Sequence, residues 1–156
     1  MPAGYSKRSL ADKLGFKPEM RAALLGAPEG YDATLGALPP GVVVSRAARG
    51  RFDLVQLFLD RATELDRRLP ALREAIAPDG MLWISWPKKA SGVSTDVTED
   101  VVRDRALAHG LVDVKVCAVD AVWSGLKLVI PLKARSRANR GPSGSAQATR
   151  RRSGLD

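Results

Sequence analysis

The sequence predicts a small α/β fold, a three-layer sandwich around a mainly parallel sheet that closes with an antiparallel C-terminal hairpin. Three observations predict it. Short apolar, β-branched runs alternate with segments of helical periodicity, the order that builds parallel strands joined by crossover helices. The run GMLWISWP, Gly80 to Pro87, is apolar at nearly every position, as a strand covered on both faces must be. The last two runs, VDVKVCAVDAVW and GLKLVIPL, have no helical segment between them and therefore pair directly.

Taken in order, MRAALLGAP (Met20 to Pro28) is an apolar run that stops at Gly and Pro, a buried strand followed by a turn. Pro28 suits the first turn of a helix, expected to run to Leu38 and to close at Pro39, Pro40 and Gly41. GVVVS (Gly41 to Ser45) is the second strand and RFDLVQLFL (Arg51 to Leu59) the third. Ala62, Leu65, Leu69, Leu72 and Ile76 then recur at spacings of three and four, the stripe of an amphipathic helix, with a kink or restart at Pro70 and an end at APDG. Gly80–Pro87 is the fourth strand. Thr95 or Asp96 caps the next helix, with Glu99 in capping-box position, and that helix stops at His109 and Gly110. The closing hairpin turns at Ser124 and Gly125, with Pro131 tolerated at the sheet edge. The architecture is Rossmann-like, with right-handed crossovers.

Composition sets the boundaries. A chain of 156 residues with 45% apolar and 27% charged residues is the profile of one globular domain. It buries enough surface to need no disulfide or metal. Cys117 is the only cysteine and His109 the only histidine, which rules out an intrachain disulfide and makes a zinc site or a Cys/His nucleophile pair hard to build. No apolar run reaches the roughly 20 residues needed to cross a bilayer, and the amino terminus has no hydrophobic signal region, so a cytoplasmic protein without a membrane association is expected. Charge is uneven. Met1 to Leu132 holds 18 Lys and Arg against 16 Asp and Glu, whereas Lys133 to Asp156 holds 7 against 1. That terminal stretch has one Leu and no other large apolar residue, so it cannot repay the entropy of ordering and is expected to be a disordered tail, with the domain ending at Leu132. Its charge fits nonspecific contact with nucleic acid.

In a sheet of this kind ligands sit outside the carboxyl ends of the strands, near the switch in strand order. The residues there are GAPEG (Gly26 to Gly30), Ser45 and Arg46, Asp60 and Arg61, and Trp86 to Lys89. Gly26, Glu29, Gly30, Trp86, Lys88 and Lys89 are the candidate ligand-binding set. GAPEG is either a tight turn or a loop whose N–H groups meet a phosphate at a helix start. Arg46 stands where a 2′-phosphate partner can stand, or is a solvated loop arginine. Lys88 and Lys89, two ammonium groups beside an apolar wall, attract phosphate or carboxylate, or else end a strand in solvent. His109 reads as a helix-end residue and Cys117 as an inert strand residue. Trp83 and Trp86 point to opposite faces, Trp83 into the core, while Trp86 and Trp123 stand at strand ends, where one of them is expected to line a pocket.

The stretch LPALREAIAPDGMLWISWPK resembles the helix, turn and strand in the carboxyl-terminal half of class I methyltransferases, and the closing hairpin is similar to theirs. SLADKLGFKPEMRAALLGAPEGY, LWISWPKK, TDVTEDVVRDRALAHGLVDVKVCAVD and WSGLKLV resemble the bacterial family catalogued as domain of unknown function 3052, over most of Ser9 to Leu132. The resemblance implies the α/β fold and a bacterial, cytoplasmic setting. Methyltransferases place a glycine-rich loop after the first strand and an acid after the second to hold the ribose of S-adenosylmethionine; the corresponding residues here are GAPEG and Ser45–Arg46.

No acid, base and nucleophile stand together in the sequence, which leans away from an enzyme and leaves no cofactor expected. The expected function is a noncatalytic methyltransferase-like module that binds an anionic small molecule or a protein partner at the carboxyl edge of its sheet. The alternative is an S-adenosylmethionine- or nucleotide-dependent enzyme with a degenerate cofactor loop.

Overall fold

Every apolar run finds a place in one six-stranded sheet. In the computed structural model, which describes residues 8–139, the elements follow as α1 (Leu10–Leu14), β1 (Arg21–Leu25), α2 (Tyr31–Leu35), β2 (Val43–Ser45), β3 (Phe52–Phe58), α3 (Ala62–Ala75), β4 (Ile76–Pro87), α4 (Glu99–Ala108), β5 (Val112–Ala118), β6 (Trp123–Val129) and α5 (Leu132–Asn139). A single 3-10 turn, Lys89–Ser91, follows β4. The strand order is β2-β1-β3-β4-β6-β5. β1 pairs in parallel with β2 and β3, and β3 with β4, while β6 is antiparallel to both β4 and β5. The order reverses between β1 and β3. This is the α/β, Rossmann-like, mainly parallel arrangement expected.

Strand alternation divides the core into two layers. On one face α3 and α4 cover Leu25, Val55, Leu57, Ile84, Trp86 and Leu126. On the other α1 and α2 cover Ala22, Leu24, Leu54, Phe58 and Trp83. Trp83 and Trp86 thus face opposite layers, as their spacing predicts. Trp83 is fully buried, and its indole N–H donates to the Leu14 carbonyl at 2.8 Å, tying α1 to the central strand.

Several elements depart from the reading above. α1 was not expected: it is only five residues long, held by Ser9, whose hydroxyl accepts from the Asp12 N–H, and closed at Gly15. The helix expected from Pro28 to Leu38 shrinks to Tyr31–Leu35. α3 continues through the exposed Pro70 without a break and ends at Ala75, so Ile76 is the first residue of β4 rather than the last of the helical stripe. The register jumps there, Phe52 facing Ile76 and Leu54 facing Met81, so Ala77–Gly80 bulges out of the strand. α4 is capped by Thr98, whose Oγ1 accepts from the Val101 N–H, and not by Thr95 or Asp96. His109 is the helix-end residue expected.

The hairpin turn lies at Val119–Val122, where the Asp120 carboxylate accepts from the N–H groups of Val122 and Trp123, each at 2.8 Å. Ser124 and Gly125 belong to β6. Gly125 has a packing role: a Cβ there would stand 3.3 Å from the Trp83 ring and 3.4 Å from Ser85 Oγ. The hairpin lies at one edge of the sheet, with β5 outermost and β6 inside it. After Pro131 the chain turns into α5, where a disordered tail was expected from Lys133; Ala134 packs on the core and Arg135 Nε donates to the Ile130 carbonyl. The rest of the expected tail, Arg140–Asp156, lies outside the described residues. No helix among the described residues is long and apolar enough to cross a membrane.

Candidate functional site

Two loops at the carboxyl edge of the sheet carry the six candidate residues, and the structure treats them differently. The first, Gly26–Gly30, leaves β1 at the point where strand order reverses. Gly26 has φ +70°, and a Cβ there would lie 2.9 Å from the Phe58 carbonyl oxygen, so only glycine lets the loop press onto the end of β3. Glu29 is exposed, and Gly30 caps α2. Tyr31 then turns inward and is 3% exposed. Its ring packs edge-on to Phe58 (centroids 4.8 Å apart), which packs edge-on to Trp123 (5.1 Å). Its hydroxyl donates to Gln56 Oε1 at 2.7 Å, and Gln56 Nε2 donates to Ser85 Oγ at 3.1 Å. Burial pushes the Tyr31 hydroxyl well above the usual phenol range, so it stays a neutral donor. At the end of β2, Arg46 donates to the Asp32 carboxylate at 3.0 Å, both side chains being exposed.

The second loop follows β4 and borders a groove of about 720 Å³ lined by residues of Trp86–Lys89, Gly92–Glu99 and Ser124. Trp86, 6% exposed, anchors the groove in the α3/α4 layer. Its walls are positioned by the backbone. The Lys88 N–H donates to the Val122 carbonyl at 2.7 Å, and Ser91 Oγ donates to the Lys88 carbonyl at 2.6 Å. Across the groove, Thr95 Oγ1 donates to the Asp60 carbonyl at 2.7 Å and accepts from the Val97 N–H. Asp96 accepts from the Ala62 N–H at 2.8 Å, capping α3. Three loops are thereby held together at one edge.

Chemically the groove offers two ammonium groups, the hydroxyls of Ser94, Thr95, Thr98 and Ser124, and the first turn of α4. Its one carboxylate, Glu99, is bound to the Arg103 guanidinium, which also holds Asp100 and Asp113. The surplus is positive. Such a surface suits a phosphate or carboxylate seated against a helix start. Of the six candidates, Trp86, Lys88 and Lys89 line this groove, whereas Gly26, Glu29 and Gly30 sit in the other loop. Thr95, Thr98 and Ser124 were not singled out as ligand residues, because Ser and Thr in SGVSTDVTED read equally as capping and turn residues. Among the described residues no three His, Cys, Asp or Glu side chains gather as a metal site.

No family model matches the chain, so the resemblance to domain of unknown function 3052 rests on the stretches quoted above, and no curated protein matches either. Solved structures do match. The magnesium protoporphyrin IX methyltransferase of Synechocystis PCC 6803, solved with bound SAH, aligns over 73% of this chain and 75% of its own with 14% identity and a TM-score of 0.53. A putative methyltransferase from Thermoplasma acidophilum aligns over 76% of this chain and 71% of its own with 9% identity and a TM-score of 0.50. At these identities the likeness is one of fold: the chain has the α/β architecture of S-adenosylmethionine-dependent methyltransferases.

Proposed function

We propose that the chain is a methyltransferase-like module that binds a small anionic ligand, of the phosphate or carboxylate class, in the groove after β4. A carboxylate presented by a protein partner offers the same chemistry. One observation carries the reading: Lys88 and Lys89 share a groove with Trp86, Thr95 and Thr98. Without an acid, base and nucleophile in one place, binding is the activity that this groove supports best.

A second reading, an S-adenosylmethionine- or nucleotide-dependent enzyme with a degenerate loop, is favoured by the fold likeness to methyltransferases, one of them solved with SAH, and by the glycine-rich first loop. A thermal-shift panel of pyrophosphate, ATP, citrate, S-adenosylmethionine and SAH separates the two. A ligand at about 100 times its Kd stabilises the fold by about 2.7 kcal/mol, a shift of several degrees. Saturable shifts with pyrophosphate, ATP or citrate, lost in Lys88→Ala/Lys89→Ala, support the groove. A saturable shift with S-adenosylmethionine that survives the double substitution moves the site to Gly26–Gly30 and makes the second reading the correct one.

A further inference from the structure

Away from the groove, on the opposite face of the sheet, several lysines stand in no ion pair among the described residues. β6 turns Leu126 and Leu128 towards α3 and α4, so Gly125 and Lys127 point the other way, beside Lys115 and Cys117 of β5. α1 and the segment after it lie over β4 next door, with the Trp83 indole bonded to Leu14 and Gly15 close to Met81. The charges acting most strongly on the Cys117 thiol are Lys13, Lys115 and Arg8, and those acting on the Lys127 ammonium are Lys115, Arg135 and Lys17. Lys115 and Lys127 are cross-strand partners, and Lys13 and Lys17 lie on the segment that covers the neighbouring β4. Asp12 is bound to Arg8, and Asp120 is engaged by the hairpin turn.

The arginines around α3 and α4 behave differently. Arg103 holds three carboxylates, Arg105 holds Asp66, and Arg67 and Arg68 share Glu64. By contrast Lys13, Lys17, Lys115 and Lys127 stand in no ion pair among the described residues. Lys115 and Lys127 even face each other directly across β5 and β6, an arrangement that destabilises a sheet. Burial, together with those neighbouring cations, holds the Lys127 ammonium below the usual lysine range. A face that gathers lysines bound to no carboxylate among the described residues is complementary to a polyanion.

We infer that the open face of β6 and β5, flanked by Lys13 and Lys17, is a docking surface for the phosphate backbone of nucleic acid. Spaced lysines on a broad face match the repeating charge of such a backbone, and the chain beyond Asn139 adds Arg140, Arg150, Arg151 and Arg152 to the same balance. Binding is independent of sequence, since ammonium groups read charge and not base edges. This surface is separate from the groove and does not depend on the function proposed for it.

The test uses the full chain and a fluorescent DNA of about 20 nucleotides, single-stranded and duplex, at about 50 mM salt. Lys17→Glu/Lys115→Glu is expected to weaken binding at least roughly ten-fold and to lower the log–log salt slope by about 2. Its melting temperature should not fall, because the repulsion between residues 115 and 127 is relieved. The inference is overturned if the parent does not bind either DNA, or if Lys17→Glu/Lys115→Glu binds as tightly as the parent. It is equally overturned if Arg150→Ala/Arg151→Ala/Arg152→Ala alone abolishes binding. Polyglutamate displacing the DNA at equal charge concentration would replace it with an acidic protein partner.

Discussion

The two loops at the carboxyl edge differ in what they touch. The loop after β1 is pressed onto Phe58 at Gly26, while at Gly30 a Cβ would meet nothing within 4 Å, and the helix that follows buries Tyr31 against Phe58 and Gln56. The loop after β4 stands away from the core at Gly92, where a Cβ would meet nothing within 4 Å, and it borders the groove with Lys88 and Lys89. A glycine-rich turn at the switch point and a lysine pair further along look equally functional in a sequence. Contact separates them at Gly26 and Gly92: a Cβ at the first would strike the Phe58 carbonyl, and a Cβ at the second would meet open space.

Four stability measurements bear on that contrast. Gly26→Ala carries the largest expected effect, since the left-handed conformation costs an alanine about 1–2 kcal/mol and the clash with the Phe58 carbonyl adds more, about 3 kcal/mol in all by urea unfolding. A loss under about 1 kcal/mol would show that the first loop is free to move. Tyr31→Phe comes next, at about 1–2 kcal/mol, because Gln56 Oε1 loses its donor while fully buried. Gly92→Ala, at φ +80° with open space around it, should cost about 1 kcal/mol from the backbone alone. Lys88→Ala/Lys89→Ala should change stability by less than about 0.5 kcal/mol while removing the anion-dependent thermal shift. Equal stability losses at Gly26 and Gly92 would erase the distinction between the loops.

A pH titration gives a smaller effect, remote from both loops. The Arg103 guanidinium holds the Asp113 carboxyl below its ordinary value. A carboxyl lowered in the folded state contributes stability above its unfolded pKa, near 4, and loses it as pH falls through the folded value. Asp113→Asn should flatten that acid limb slightly and leave the neutral-pH groove shift unchanged.

Local signals in the chain determined much of this protein by themselves. Runs such as AALL and LWISW are apolar beyond what a helix stripe allows, Leu65, Leu69 and Leu72 keep helical spacing, and Gly and Pro stand at most boundaries, so strands, two long helices and the α/β class follow from periodicity within short windows. The lysine pair at the end of β4 was legible for the same reason, since a strand end is a local feature. What only the tertiary structure decided involves partners far apart in the chain. Gly125 read as a turn glycine, yet its place in β6 is set by the Trp83 ring, and Asp96 read as the cap of α4, yet it caps α3. The pairing of β6 with β4, the Tyr31–Gln56–Ser85 line and the gathering of Lys13, Lys17, Lys115 and Lys127 on one face are likewise long-range. Hydrogen-bond satisfaction and packing act through space, so each of these choices was made by contacts between segments that no window of sequence contains.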